Sequence, residues 1–387
     1  MPHLMNRTKR ASALLSLMSV FTCSTLLSSS AFAFQSLSDH FSEYTSASEV
    51  EINYPDVNAV LDISVIDLGM SNREKAQRPL GSTGTLLKRR INRLTALESN
   101  RVYFENFDKN NYRQAVSEVQ DSLASLPSQA PLVLFNKNEQ LAYWLNLYNV
   151  TLLKEMAYNE SNVNFNHEFA QERESAAFNK KVIEVDGQDL SLNDIKYDIV
   201  LNNFTGNSNV IYGFFTGVIG GPSIQSRAFT GSNVNSLLKE VASEFINSNR
   251  GTYYDGRISS LYARYSDFFE GEDKAVAIKN HVLKYINDDM RDSIESTPAQ
   301  ALSMDITDYA EAGVGDDRVY AAGQSYNRGA IMSTEPVITT GFENLRFSLD
   351  GITLLREINQ KYNMAKGNVT VKDLSESEAT TSSKTDN

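Results

Sequence analysis

Cysteine is almost missing from this 387-residue chain: Cys23 stands alone, inside an N-terminal segment that reads as a cleavable leader. Without that leader the chain forms no disulfide, offers no thiolate nucleophile and builds no thiolate metal site. Histidine is nearly as scarce. Past the leader only His40, His167 and His281 remain, widely separated and in no His-x-x-x-His or comparable spacing, so neither a transition metal nor a cofactor is expected. Cations are in deficit, 36 against 48 anions, and the net charge of −12 opposes nucleic acid and anionic bilayers as partners. No later apolar run is long enough to span a bilayer. Also missing are the Gly-x-Ser-x-Gly elbow, the Walker phosphate loop, the Gly-x-Gly-x-x-Gly fingerprint and any internal repeat.

What is present is an ordinary globular composition, 41% hydrophobic and 22% charged, in a chain long enough to bury a core without staples. Residues 1–33 carry Arg7, Lys9 and Arg10 and no acid, then an apolar run over 11–27, then Ala31-Phe32-Ala33. That order predicts a secretory signal cleaved after Ala33 and a periplasmic or secreted bacterial protein. Ser12, Ser16, Ser19 and Thr22 interrupt the run and argue against an uncleaved anchor. Val20-Phe21-Thr22 before Cys23 does not resemble a lipobox. Losing the three leader cations takes the net charge from −12 to −15.

Residues 34–79 read as an N-terminal arm, 80–290 as the main domain, 291–365 as a C-terminal extension and 366–387 as a disordered, polar tail. Apolar spacing predicts an amphipathic helix over 85–97 with a solvated basic face, and another over 112–126 that Pro127 ends. The strongest helix spans 136–158, apolar nearly all round, with Asn136 and Glu139 as its capping pair. A polar loop with His167 follows over 159–180. Then come a strand over 181–185, a turn at Asp186-Gly187, and a short helix capped by Ser191 and Asp194. Residues 209–217 read as a buried strand or helix start, and 232–247, 258–269 and 275–286 as further core elements. Residues 288–318 are acid-rich, with 313–317 reading as an open loop rather than a calcium site, and 349–362 read as a last helix. The fold expected is α+β, helix-dominated, one main mixed domain with N- and C-terminal additions; an all-helical core with one hairpin is the other architecture the pattern allows.

Two amides stand out in the central helix. Asn146 and Asn149, one turn apart among apolar neighbours, either bond loop backbone or line a cleft. Around them, Asn138-Glu139-Gln140-Leu141-Ala142-Tyr143-Trp144-Leu145-Asn146-Leu147-Tyr148-Asn149 resembles the signature helix of the domain of unknown function 547 family (DUF547). The resemblance continues through Leu190-Ser191-Leu192-Asn193-Asp194-Ile195, Gly221-Pro222, Arg227-Ala228-Phe229 and Ile258-Ser259-Ser260-Leu261-Tyr262, with Tyr265 and Asp267-Phe268 behind it. It implies a scaffold whose typical members carry a Glu-His pair, a His and a Cys-Pro. Here those positions read Lys196-Tyr197, Tyr212 and Gly221-Pro222. A thiolate chemistry, if other members use one, is therefore lost in this chain, unless those positions serve packing alone.

The expected function is that of an exported cell-envelope protein that does not catalyse. It would bind a peptide, glycan or protein partner in a cleft by the central helix, with Trp144, Asn146, Tyr148, Asn149, Asn193, Asp194, Tyr212 and Arg227 as the candidate binding residues. No residue is marked as catalytic or as a metal ligand. The competing expectation is a hydrolase or transferase using a Ser, Asp or Glu in the same cleft; a third is a structural protein whose acidic tail makes the contacts.

Overall fold

The central element is α4, Lys137–Tyr158, whose residues from Glu139 to Leu153 are all buried. A helix apolar on every side must be enclosed by several neighbours, and the neighbours are α3 (Tyr112–Gln129), α6 (Val234–Ile246) and the helical turns described below. The computed structural model describes residues 36–76, 92–103, 107, 112–158, 171–308 and 312–314. The leader, most of the helix expected over 85–97, His167 with its loop over 159–170, the expected helix over 349–362 and the polar tail lie outside them. Residues 93–97, at the end of the helix expected over 85–97, form turns instead.

The N-terminal arm belongs to the same core. α1 (Leu37–His40) and α2 (Pro55–Ser64) lead it in, and Phe41, Tyr54, Val57 and Val60 are buried there. α3 differs from its expected end, running through Pro127 to Gln129. Proline has no N–H for the Leu123 carbonyl one turn back; the Tyr143 hydroxyl of α4 donates to that carbonyl instead, at 3.1 Å. A cross-helix bond thus replaces the missing intrahelical one.

After α5 (Ala176–Asn179) the chain forms a hairpin rather than a single strand. β3 (Ile183–Val185) and β4 (Gln188–Leu190) pair antiparallel with Ile183 opposite Leu190. Asp186 and Gly187 both sit in the left-handed region, φ 50° and 73°, as a two-residue hairpin turn requires. The next helix winds as a π-helix over Asp194–Val200. The segment read as a strand or helix start is a 3-10 turn, Ser208–Gly213, buried from Asn209 on.

The sheets are small. β1 (Val65–Ile66) pairs antiparallel with β2 (Arg101–Tyr103), and β2 pairs parallel with β7 (Gly313–Val314). β5 (Ile258–Ser259) pairs parallel with β6 (Met304–Ile306). Between them lie α7 (Leu261–Arg264), α8 (Lys274–Tyr285) and α9 (Asp288–Ser296). The acid-rich stretch thus holds a helix, and Gly313 and Val314, expected in an open loop, pair as β7. Met290 and Ile294, one turn apart, bury fully against the core and outweigh the local acidity. The architecture is α+β and helix-dominated. Among the described residues no helix is long and apolar enough to cross a membrane.

Candidate functional site

Both amides of the central helix clamp backbone. Asn146 donates to the Phe229 carbonyl at 2.7 Å and accepts the Phe229 N–H at 3.0 Å. Asn149 does the same for the Gly213 carbonyl, 2.9 Å, and the Phe215 N–H, 3.0 Å. Each side chain mimics a strand neighbour and satisfies two buried backbone groups of an irregular segment. With Arg227 they line a cavity of about 10 Å³, room for one water at most.

The other candidate residues are dispersed. Trp144 is buried edge-on to Phe41 and Tyr143, and its indole N–H has no hydrogen-bond partner among the described residues. Tyr148 is buried edge-on to Phe214 with its hydroxyl equally unpartnered. Asn193 donates to the Glu172 carbonyl at 2.8 Å. Asp194 caps its helix reciprocally: its amide donates to the Ser191 hydroxyl and its carboxylate accepts the Ser191 amide and the Lys181 ammonium, the latter at 2.6 Å. Burial alone would raise the Asp194 carboxyl, but these donors hold it below its ordinary value. Arg227 is exposed and paired with the exposed Glu240.

Tyr212 opens a buried polar chain. Its hydroxyl lies 3.0 Å from that of Tyr262 and 2.9 Å from His281 Nε2, while His281 Nδ1 lies 2.9 Å from the Ser208 hydroxyl. Tyr262 is fully buried, and among the described residues Tyr212 is its one hydroxyl partner, so Tyr262 donates to Tyr212 to satisfy its proton. Tyr212 then donates to Nε2, and the neutral imidazole donates from Nδ1 to Ser208. That polarity makes Ser208 an acceptor rather than an activated nucleophile. Burial, with a smaller contribution from the Lys284 charge, pushes the His281 pKa down to about 4.

At Gly221 a Cβ would overlap the Thr216 hydroxyl, a fully buried group with no hydrogen-bond partner. Thr216 thus fills the space where a cysteine side chain at position 221 would begin. The adjoining loop is strapped down by the chain's C-terminal extension: the Gly220 N–H donates to the Asp308 carbonyl at 2.7 Å, and the Ala312 N–H to the Gly217 carbonyl at 2.9 Å. A Cβ on Gly220 would lie 2.5 Å from the Asp308 nitrogen. Beneath, the buried Arg250 donates to the Gly221 carbonyl at 2.6 Å and pairs with Glu244.

The roomy concavity lies at the head of α4, an open cleft of about 790 Å³ between the arm, the first helical turn and the loop before α6. Glu49, Glu51 and Glu139 line it, with Tyr44, Lys137, Asn136 and Asn138. Asn136 caps the helix, accepting the amides of Asn138 and Glu139, both at 3.0 Å. Glu139 does not reach back to the cap; its carboxylate accepts the Gly231 amide at 3.0 Å and the Ile52 amide at 3.4 Å, tying both cleft walls to the helix. Burial, then the neighbouring Glu51 charge, outweigh these bonds and raise the Glu139 carboxyl. Among the described residues Glu49 and Glu51 have no ion-pair partner, and Lys137 leans over the Tyr44 and Phe204 rings, 5.7 Å from each. Three carboxylates therefore face one ammonium.

Residues 132–246 match the family model described as Protein of unknown function, DUF547. This segment runs from the 3-10 turn before α4 (Leu132–Leu134) to the end of α6 and holds the amide clamps, the π-helix, Tyr212 and Gly221. No curated protein and no solved structure matches the chain. The DUF547 segment does not include His281, Arg264 or the strap residues Asp308 and Ala312, which reach its motif positions from outside. None of these had a local sequence signal. Among the described residues no group of three His, Cys, Asp or Glu is placed to hold a metal ion.

Proposed function

We propose that this chain is an exported cell-envelope protein that does not catalyse and that binds a cationic peptide segment in the open cleft at the head of α4. The observation that carries the reading is the charge imbalance of that cleft, where Glu49, Glu51 and Glu139 face the single, ring-stacked Lys137. Exposed Tyr44 and Val50 beside them offer apolar contact for a peptide's side chains. The net charge of −12, or −15 after loss of the leader, adds long-range attraction for a cation. The leader sequence supports export. The lost Cys and His at family positions, with the Thr216 hydroxyl in the thiol's place, favour binding over a thiolate reaction.

The competing hydrolase or transferase reading would rest on Glu139, whose carboxyl is raised in the cleft. Both its oxygens already hold backbone amides, which favours an anchoring role. Fluorescence anisotropy of a labelled Lys/Leu decapeptide tests the proposal. Expected is saturable binding that weakens as salt rises and that the Glu49→Lys, Glu51→Lys double variant loses by roughly tenfold or more. Equal binding by the double variant would contradict the cleft assignment.

A further inference from the structure

At the family's Glu-His position the chain carries Lys196 and Tyr197, on the π-helix Asp194–Val200. π-turns are uncommon and concentrate at functional sites. Lys196 is fully buried, and its ammonium lies within 5.0–5.8 Å of the ring centres of Tyr265, Phe214, Tyr197 and Tyr148. Into this aromatic box the turn at 171–174 inserts Glu172, whose side chain is fully buried. One carboxylate oxygen accepts from Lys196 Nζ at 2.5 Å; the other faces Arg264 Nη1 at 3.1 Å and the hydroxyls of Tyr197 and Tyr265 at 3.2 and 3.4 Å.

A stability role alone explains this poorly, because a well-packed apolar set of the same volume is often as stable as a buried ion pair. The geometry is that of ligand recognition: a point cation on one oxygen, a guanidinium and two phenols on the other, and aromatic walls around the carbon stem. Among the described residues two cations, Lys196 and Arg264, meet this carboxylate. The donors come from the π-helix and from α7 with the residue after it, whereas the acceptor comes from a separate turn, attached by the Asn193 amide on the Glu172 carbonyl.

We propose that Lys196, Arg264, Tyr197 and Tyr265 form a carboxylate-binding site for a small organic acid, and that Glu172 is its tethered occupant. This site is independent of the cleft at the head of α4.

Glu172→Ala removes the Glu172 side chain beyond Cβ, a fragment with the heavy atoms of acetate. The variant therefore melts well below wild type, and 100 mM sodium acetate raises its Tm by about 5 °C over sodium chloride at equal ionic strength. Butyrate, too long for the vacated space, does less. Wild type and Glu172→Gln, in which the space stays filled, respond alike to acetate and chloride. Acetate acting on Glu172→Ala no better than chloride, or acting equally on all three proteins, overturns the proposal. Should Glu172→Ala be recovered only as aggregate, it is refolded from urea: soluble protein with acetate and not with chloride supports the site, and aggregate in both contradicts it.

Discussion

The buried His281 makes stability depend on pH in a direction that can be worked out. In the folded chain burial lowers its pKa from 6.5 to about 4. As pH falls, the unfolded chain takes up the proton near 6.5 while the folded chain does not do so until about 4. Stability from the neutral imidazole is thus present in full above pH 6.5 and is lost progressively between 6.5 and 4. Between pH 7.5 and 4.5 the loss is roughly 2–3 kcal/mol. The groups facing His281 are Tyr212, Tyr262, Phe269, Tyr285 and Ser208, with the Lys284 cation on its own helix; no described carboxylate compensates the imidazolium. Because burial raises carboxyls such as Glu98 and Glu139, whose contribution to stability has the opposite sign as pH falls, the assay is a difference. Urea unfolding of wild type and His281→Phe is followed at pH 7.5, 6.5, 5.5 and 4.5. His281→Phe is the less stable protein at pH 7.5, having left Tyr212 and Ser208 short of a partner, and the gap narrows by roughly 2–3 kcal/mol toward pH 4.5. A gap that stays constant refutes the reasoning, since it would mean that His281 titrates alike in both states.

Asn146→Leu and Asn149→Leu each orphan two buried backbone groups, so each lowers stability by about 2–5 kcal/mol in urea unfolding. A variant that unfolds like wild type would show its amide to be dispensable to the backbone it clamps. Gly221→Cys drives its Cβ into Thr216 and lowers Tm by several degrees, about 2 kcal/mol or more; adding Thr216→Ala restores most of the loss, and a double variant no better than the single one would disprove that the two side chains compete for one space.

The central helix was legible because its pattern is local and extreme: one apolar surface all round, a capping Asn136, and two amides with nowhere polar to go except a backbone. Its partners were not. Tyr143 bonding the Leu123 carbonyl, which lets α3 run through Pro127, is a tertiary contact that no helix rule contains. α9 was hidden for a similar reason, since only two of its residues bury and the rest of its surface is polar, with Asp288, Asp289, Asp292 and Glu295 on it. The second hairpin strand, with Gln188 and Asp189 on it, had no alternation long enough to read. Among the candidate site residues, family motif and exposure were conflated. Trp144, Asn146, Tyr148 and Asn149 stand in the motif and hold the core, whereas the cleft takes only Asn138 and Glu139 from the motif's start and its arm residues Tyr44, Glu49 and Glu51 carry no motif. Glu172 lies in a stretch whose polarity reads as solvated loop, and the cationic box that buries it comes from segments far along the chain.

Hydrogen–deuterium exchange of the full chain with and without the Lys/Leu decapeptide tests the central claim most directly, because it locates the contact. The account predicts slowed exchange over residues 43–52, 136–140 and 230–233, the two walls and the head of α4. Protection elsewhere on the surface, with those three segments unchanged, would contradict it.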